Sequence, residues 1–408
     1  VVVGTTDKRV HVLRAVDTLS SYEQVSVFSI LKKTSAISIV SVSHPGADDG
    51  SSGGGRGGGG STLYLLIADK FADVYSIPLS GLSAATTTTT SSESTPATNS
   101  VQDRRFLLQH PTSSITAMHV EPELGWIVTA DQDEKIRVSN FPATHLIQSY
   151  CLGHTALVSS IAMSSPSSPA SPSSPSSPSP RAFILSGGGD GSLRCWDPST
   201  GKLLDTLMFR AHNHLAVPGE AQGETQLLVT SLLCTGGSQG AGQGDDPRAV
   251  TFAVIDPTGA RSAVHSCTLS EDGKLTMRST QEWAATDGHD DTWVVQDIVG
   301  VGVPGAAAAA AAAPAPAAGC YVGIALALNA RTGEFEWLSL RDSIVTAEHL
   351  APLSAWTDQH KVVAADGNVV ATGVLTQAPR GSRKREREAA AAAKEKGDAL
   401  RLSKVPKK

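Results

Sequence analysis

The sequence predicts an all-β protein, a β-propeller of about seven blades, and three observations carry that prediction. Short segments alternate apolar and polar residues at period two and end in turns rich in Asp and Gly. One hairpin pattern recurs along the chain. The spacings between its copies approach one blade length once the low-complexity stretches are removed.

The elements follow in order. "VVVGTTDKRVHVL" (1–13) places Val10 64 residues before Val74 of "LLIADKFADVYSIPL" (65–79), and excising "HPGADDGSSGGGRGGGGS" (44–61) leaves 46. Val74 precedes Ile136 of "TADQDEKIRVSN" (129–140) by 62, which becomes 41 without the Ser/Thr-rich stretch 80–100. That segment aligns with "SGGGDGSLRCWD" (186–197) 57 residues on, and 40 remain without "SSPSSPASPSSPSSPSP" (164–180). A four-stranded blade takes roughly 40–45 residues. Downstream, "AVTFAVID" (249–256) reads as a buried strand, and "CTLSEDGKLTMRS" (267–279) and "ALNARTGEFEWLSL" (327–340) as hairpins. Prolines cannot join a sheet ladder and Ser-rich runs bury no apolar area, so 44–61, 80–100, 164–180, 236–246 and 304–319 are expected to be disordered insertions between strands. The expected division is a propeller over 1–379, its N-terminal blade incomplete, and a basic tail over 380–408 that is disordered or a short helix.

The 408 residues suit one closed all-β unit, and a hydrophobic content of 40% suffices for a core. The run Ala306–Ala313 is too short and too weakly apolar to span a bilayer, so no membrane is expected. Five cysteines without CxxC spacing read as buried, reduced thiols of a protein of the nucleus or cytosol. The opening Val1-Val2-Val3 carries no signal-peptide n-region, which predicts an absent secretion signal and a missing native N-terminus. The net charge of −6 hides an asymmetry, because residues 380–408 carry +7 and the rest about −13. Arg383, Lys384, Arg385 and Arg387 in that tail suit either a nuclear-import signal or contact with nucleic-acid phosphates.

Catalytic patterns are weak. His154, Ser186 and Asp190 could be assembled into a hydrolase triad, but no G-x-S-x-G elbow is present. Together with Trp196 they resemble the structural hydrogen-bonded tetrad of WD-repeat blades, which satisfies buried polar groups and locks adjoining strands. "GGGDG" (187–191) leads into a strand rather than a helix, which argues against a phosphate loop. No HExxH occurs, and the acid pairs 245–246 and 290–291 lack an EF-hand pattern. No catalytic residue, metal ligand or cofactor is assigned to this chain.

The hairpin 129–140 ends in Ser139-Asn140 where a blade usually has Trp-Asp, and it is dense in charge. Alternation puts Lys135 and Arg137 on one face of a strand, with Ile136 and Val138 opposite. Asp133 is expected to shape the turn as Asp190 does, and Glu134 to orient a cation. By themselves the residues leave two readings open. One is packing with a local salt bridge, since Arg194 holds the same repeat position; the other is a partner-binding patch.

"ADKFADVYS" (68–76), "IVTADQDEKIRVS" (127–139), "CLGHTALVS" (151–159) and "ILSGGGDGSLRCWD" (184–197), in that order, resemble the non-catalytic WD-repeat subunit of eukaryotic tRNA (guanine-N7-)-methyltransferase. Phe71-Ala72 stand where that family tends to have Ser-Gly. The resemblance implies a WD-repeat propeller that does no chemistry. It forms a heterodimer with a separate catalytic subunit, which binds S-adenosylmethionine and forms 7-methylguanosine in the tRNA variable loop. It implies that Asp133, Glu134, Lys135 and Arg137 belong to the docking segment, that tRNA is met through the complex, and that the protein is nuclear, with cytoplasm as a second location. Two other classes stay open: a WD-repeat adaptor of another nuclear complex, and a hydrolase using the central channel.

Overall fold

The computed structural model describes residues 2–4, 8–16, 21–43, 61–79, 98–99, 104–164, 181–209, 227–235, 248–255, 262–283, 293–302, 321–329, 335–339, 362–363 and 369–370. All described regular elements are strands. The first sheet is β1 (Val2–Gly4), β2 (Arg9–Val16) and β3 (Ser21–Ser29), with β7 (Thr98–Asn99) parallel to β3. The second runs β4 (Thr34–Ser43), β5 (Ser61–Asp69), β6 (Asp73–Pro78), β8 (Arg105–Gln109). The third is β9 (Ile115–Glu121), β10 (Trp126–Asp131), β11 (Lys135–Asn140), β12 (Ile147–Leu152), and the fourth β13 (Val158–Ser164), β14 (Phe183–Gly188), β15 (Ser192–Trp196), β16 (Leu203–Met208). The fifth comprises β17 (Leu228–Thr235), β18 (Arg248–Ile255), β19 (Ser262–Leu269) and β20 (Leu275–Trp283). Three strands follow, β21 (Trp293–Gly302), β22 (Tyr321–Asn329) and β23 (Phe335–Ser339), and then the pair β24 (Val362–Val363) and β25 (Val369–Val370).

These are propeller blades. From the second sheet to the fifth, each is an antiparallel meander whose first strand lies innermost, and β4, β9, β13, β17 and β21 follow one another in contact. Among the described residues, distinct apolar clusters fill the gaps between successive sheets from the first to the sixth. Leu66, Val74, Ile115 and Ile127 close the second against the third, and Val128, Ile136, Val138, Ile184 and Trp196 the third against the fourth. Leu185, Leu193, Val229 and Phe252 close the fourth against the fifth. Every residue of β14, Phe183–Gly188, is buried, and its apolar start Phe183–Leu185 packs into the gaps on both faces.

The hairpin turns repeat in detail. Lys8, Ala72, Glu134, Gly191 and Gly273 occupy the same place in successive turns, with φ of 66°, 67°, 72°, 69° and 84°. A left-handed residue other than Gly is strained by about 1–3 kcal/mol, and in two turns a carboxylate holds it there. Asp69 Oδ1 accepts from the backbone N of Phe71 (2.8 Å) and Asp73 (3.2 Å), flanking Ala72. Asp131 Oδ1 accepts from N of Asp133 (2.9 Å) and Lys135 (3.1 Å), flanking Glu134.

Three boundaries differ from the sequence reading. Ser61, placed in the 44–61 insertion, is the first residue of β5 and pairs with Ser43. Ser164, placed in the 164–180 insertion, is the fully buried last residue of β13, where its hydroxyl accepts from Phe183 N (2.9 Å). Thr98–Asn99, placed in the 80–100 insertion, are a strand of the first sheet. The tail 380–408 and the insertions 236–246 and 304–319 lie outside the described residues, as does Cys320. The other four cysteines are free, and burial pushes Cys151, Cys195, Cys234 and Cys267 up to about 12. Their thiols are therefore un-ionised and unreactive near neutral pH.

Candidate partner-docking site

In the fourth sheet, His154 Nδ1 donates to Asp190 (3.0 Å to Oδ2), and His154 Nε2 accepts from the Ser186 hydroxyl at 2.7 Å. Trp196 Nε1 also donates to Ser186 Oγ, at 2.7 Å. All four residues are buried, so Ser186 is closed to a substrate. Burial opposes ionisation of Asp190, but His154 and hydrogen bonds from Ser192 and Thr155 outweigh it and hold the carboxyl well below its ordinary range. These residues form one satisfied chain between the β13 entrance, β14 and β15, which is architecture rather than chemistry.

The third sheet repeats the device with residues the sequence reading did not single out. His110 Nδ1 donates to Asp131 Oδ2 (3.2 Å) and its Nε2 accepts from Thr129 Oγ1 (2.8 Å), with all three side chains buried. The parallel between "LQHPTSSI" (108–115) and "LGHTALVSSI" (152–161) was the available signal. Ser139 sits in the position of Trp196 and accepts from Arg137 Nε at 2.8 Å.

Two expectations for the turn are corrected. Asp131, rather than Asp133, caps it, because its carboxylate already fills the space beneath the turn; Asp133 Oδ1 is enclosed without a hydrogen-bond partner. Glu134 orients neither cation: it is the left-handed turn residue and makes no ion pair among the described residues.

Lys135 and Arg137 do share a face, set by pairing of Lys135 with Leu152 and Arg137 with Tyr150 on β12. Lys135 is exposed, and beside the two cations stand Tyr150 and Leu152, 44% and 63% exposed. Arg137 is half-buried at the edge of the gap toward the second sheet. Its guanidinium donates to Ser139 Oγ, to the Thr144 carbonyl (2.9 Å) and, weakly, to the Gln109 carbonyl (3.5 Å). Burial lowers its pKa, with Tyr150 acting the other way, yet a guanidinium stays charged. Among the described residues no carboxylate pairs with Lys135 or Arg137. The repeat-equivalent Arg194 is different: its Nη2 lies 3.3 Å from Asp190 Oδ2.

The surface can therefore take up carboxylates from another molecule. Two cations are held on a strand with exposed apolar groups beside them, and the arginine's own hydrogen bonds fix its fork. Arg383, Lys384, Arg385 and Arg387 lie outside the described residues. No cluster of His, Cys, Asp and Glu suited to a metal ion occurs among the described residues, and no helix there is long and apolar enough to cross a membrane.

Comparison with known proteins bears out the resemblance read from the sequence. Residues 107–285, which hold the third to fifth sheets, match the family model described as the tRNA methyltransferase TRM82 WD40 domain. The chain is 32% identical over 171 residues (42% of its length, 34% of the relative's) to a Xenopus laevis protein named tRNA (guanine-N(7)-)-methyltransferase non-catalytic subunit wdr4. It is 30% identical over 153 residues (38% and 30%) to the Dictyostelium discoideum protein of that name. With the Aspergillus clavatus non-catalytic subunit trm82 it shares 27% over 285 residues, 56% of this chain and 55% of the relative. The chain thus spans about a third to a half of the curated relatives it matches. Among solved structures, the WD40 β-propeller domain of Doa1 aligns with a TM-score of 0.38 at 12% identity, over 83% of this chain and 78% of that one. U3-55K aligns with 0.42 at 14%, over 73% and 65%.

Proposed function

We propose that this chain is the non-catalytic accessory subunit of a tRNA (guanine-N7-)-methyltransferase, binding the catalytic subunit and holding it in its active form for 7-methylguanosine formation in the variable loop. The observation that carries the reading is Arg137. It holds the place of Arg194 in the repeat but lacks that residue's carboxylate, and it stands with exposed Lys135 beside Tyr150 and Leu152. The relatives' names supply the identity of the partner. Acidic side chains of the catalytic subunit would complete the ion pairs, Arg137 bidentately. S-adenosylmethionine would bind that partner and not this chain, and tRNA would be met through the complex. Arg383, Lys384, Arg385 and Arg387 would add phosphate contacts or direct the protein to the nucleus, with a cytoplasmic pool also consistent with this role.

The test is co-expression with the same organism's catalytic subunit, followed by size-exclusion chromatography and methyl transfer to tRNA. A one-to-one complex, active where neither chain alone is, is the expected result. Separate elution without gain of activity would leave a WD-repeat adaptor of some other assembly.

A further inference from the structure

A second charged surface lies one blade before the docking strand, at the corner where the β3–β4 connection meets the β5–β6 turn. Lys8, Lys33 and Lys70 are exposed there. Two backbone hydrogen bonds hold them near one another: Ile30 N to the Lys8 carbonyl and Lys70 N to the Lys33 carbonyl, both 2.9 Å. Among the described residues no carboxylate pairs with these three lysines. The nearby acids Asp69 and Asp73 are engaged by Lys32, at 3.4 and 3.1 Å. At the tip of the turn Phe71 is 55% exposed, with the ammonium groups of Lys32 and Lys70 at 4.4 and 4.9 Å from its ring centroid. Alongside, a small solvent-open hollow is lined by Leu31, Tyr75 and Ile77 together with Lys32, Asp69 and Arg104.

A half-exposed aromatic ring among cations, on a body whose net charge is negative, is a directional feature. An acidic peptide would use the lysines and leave the ring idle. A lipid surface would call for a broader apolar face. A single-stranded nucleic acid uses both cations and ring, since its phosphates take the cations and an unpaired base packs against the ring. We infer that this corner binds a phosphodiester strand, an RNA with an unstacked base, with Lys8, Lys33 and Lys70 on phosphates and Phe71 against the base. The inference deepens the accessory-subunit reading, which supplies tRNA as the polymer, and it puts an RNA contact on the folded body rather than on the basic tail.

The test uses the full chain alone, with a tRNA transcript and an oligouridylate as probes, titrated across salt concentrations. Replacing Lys33 and Lys70 together by Ala should reduce the slope of log affinity against log salt by roughly 1.4 to 1.8. Phe71→Ala should weaken binding roughly tenfold at unchanged slope. Phe71→Leu, which keeps apolar bulk but not the stacking face, should weaken it comparably and so exclude a disturbed turn. Unchanged slope and affinity in all three variants would overturn the inference. Intact RNA binding with impaired assembly with the methyltransferase would also overturn it, in favour of a protein interface. Failure of the accessory-subunit reading is seen separately, as absence of co-elution, and leaves these single-chain measurements standing.

Discussion

The β10–β11 and β14–β15 hairpins share their register and their left-handed turn residue, yet they place their acids two positions apart. In the fourth sheet the acid is Asp190, and Gly188 makes room for it: a Cβ there would meet His154 Nδ1 at 2.6 Å and Asp190 Oδ1 at 2.7 Å. In the third sheet Asp131 stands at the position of Gly188, takes the histidine and caps the turn, and Asp133 is displaced. The consequence falls on the strand arginine. Arg194 is neutralised by its own turn, whereas Arg137 is left to backbone carbonyls and a hydroxyl. One residue beneath a turn thus decides whether a repeat unit keeps its charge to itself or offers it to another molecule.

The comparison can be broken most forcefully at the third-strand end. Trp196→Ala should cost about 3–5 kcal/mol in denaturant unfolding, because it opens a large cavity, while Ser139→Ala at the equivalent place, which removes one acceptor of the Arg137 guanidinium and little volume, should cost about 1–2 kcal/mol. Equal losses would mean that the two blades are locked alike. Next come the arginines. Arg137→Leu should weaken association with the catalytic subunit by about 2–5 kcal/mol, mostly by leaving its carboxylate partner unpaired. Arg194→Leu should leave that affinity unchanged in calorimetry.

Asp131→Gly sharpens the contrast by recreating the space beneath the turn. Asp133 should then reach His110, and Arg137 should acquire an internal counter-ion. Stability should fall by about 1–3 kcal/mol, and association by roughly tenfold, or about 1.4 kcal/mol. A crystal structure of the variant with Asp133 unmoved would refute the account. The smallest effect concerns acid. Asp190 titrates below its unfolded value, so the stability it lends is complete above about pH 4 and is lost as pH falls toward its folded value. Asp190→Asn should flatten that acid limb, by at most about 1.4 kcal/mol per pH unit.

The hairpins, the tetrad of the fourth sheet and the shared face of Lys135 and Arg137 were legible because period-two alternation and Asp/Gly turns are local signals. The displaced acid was not. Aligning Asp133 with Asp190 is correct in sequence and in register, and only the missing Cβ at Gly188 reveals that the two carboxylates cannot act alike. His110 and Thr129 were hidden for a related reason: without a Trp at position 139 the second hydrogen-bonded set lacks its most visible member. Ser164 looked like part of a low-complexity run because its composition matches the run, while its burial depends on the neighbouring Phe183.

The order of the strands also bears on synthesis. The third, fourth and fifth sheets are each built from four consecutive strands, so each can be completed as the chain leaves the ribosome, without waiting for distant sequence. The gaps between sheets impose the delay. Val128, Ile136, Val138 and Cys151 have only Val158, Ile161 and Met163 of β13 to pack against until Ile184 and Trp196 have been translated and β15 has paired. During that interval a nascent third blade exposes the apolar face that a chaperone would recognise, and the Ser/Pro run encoded between β13 and β14 lengthens the interval.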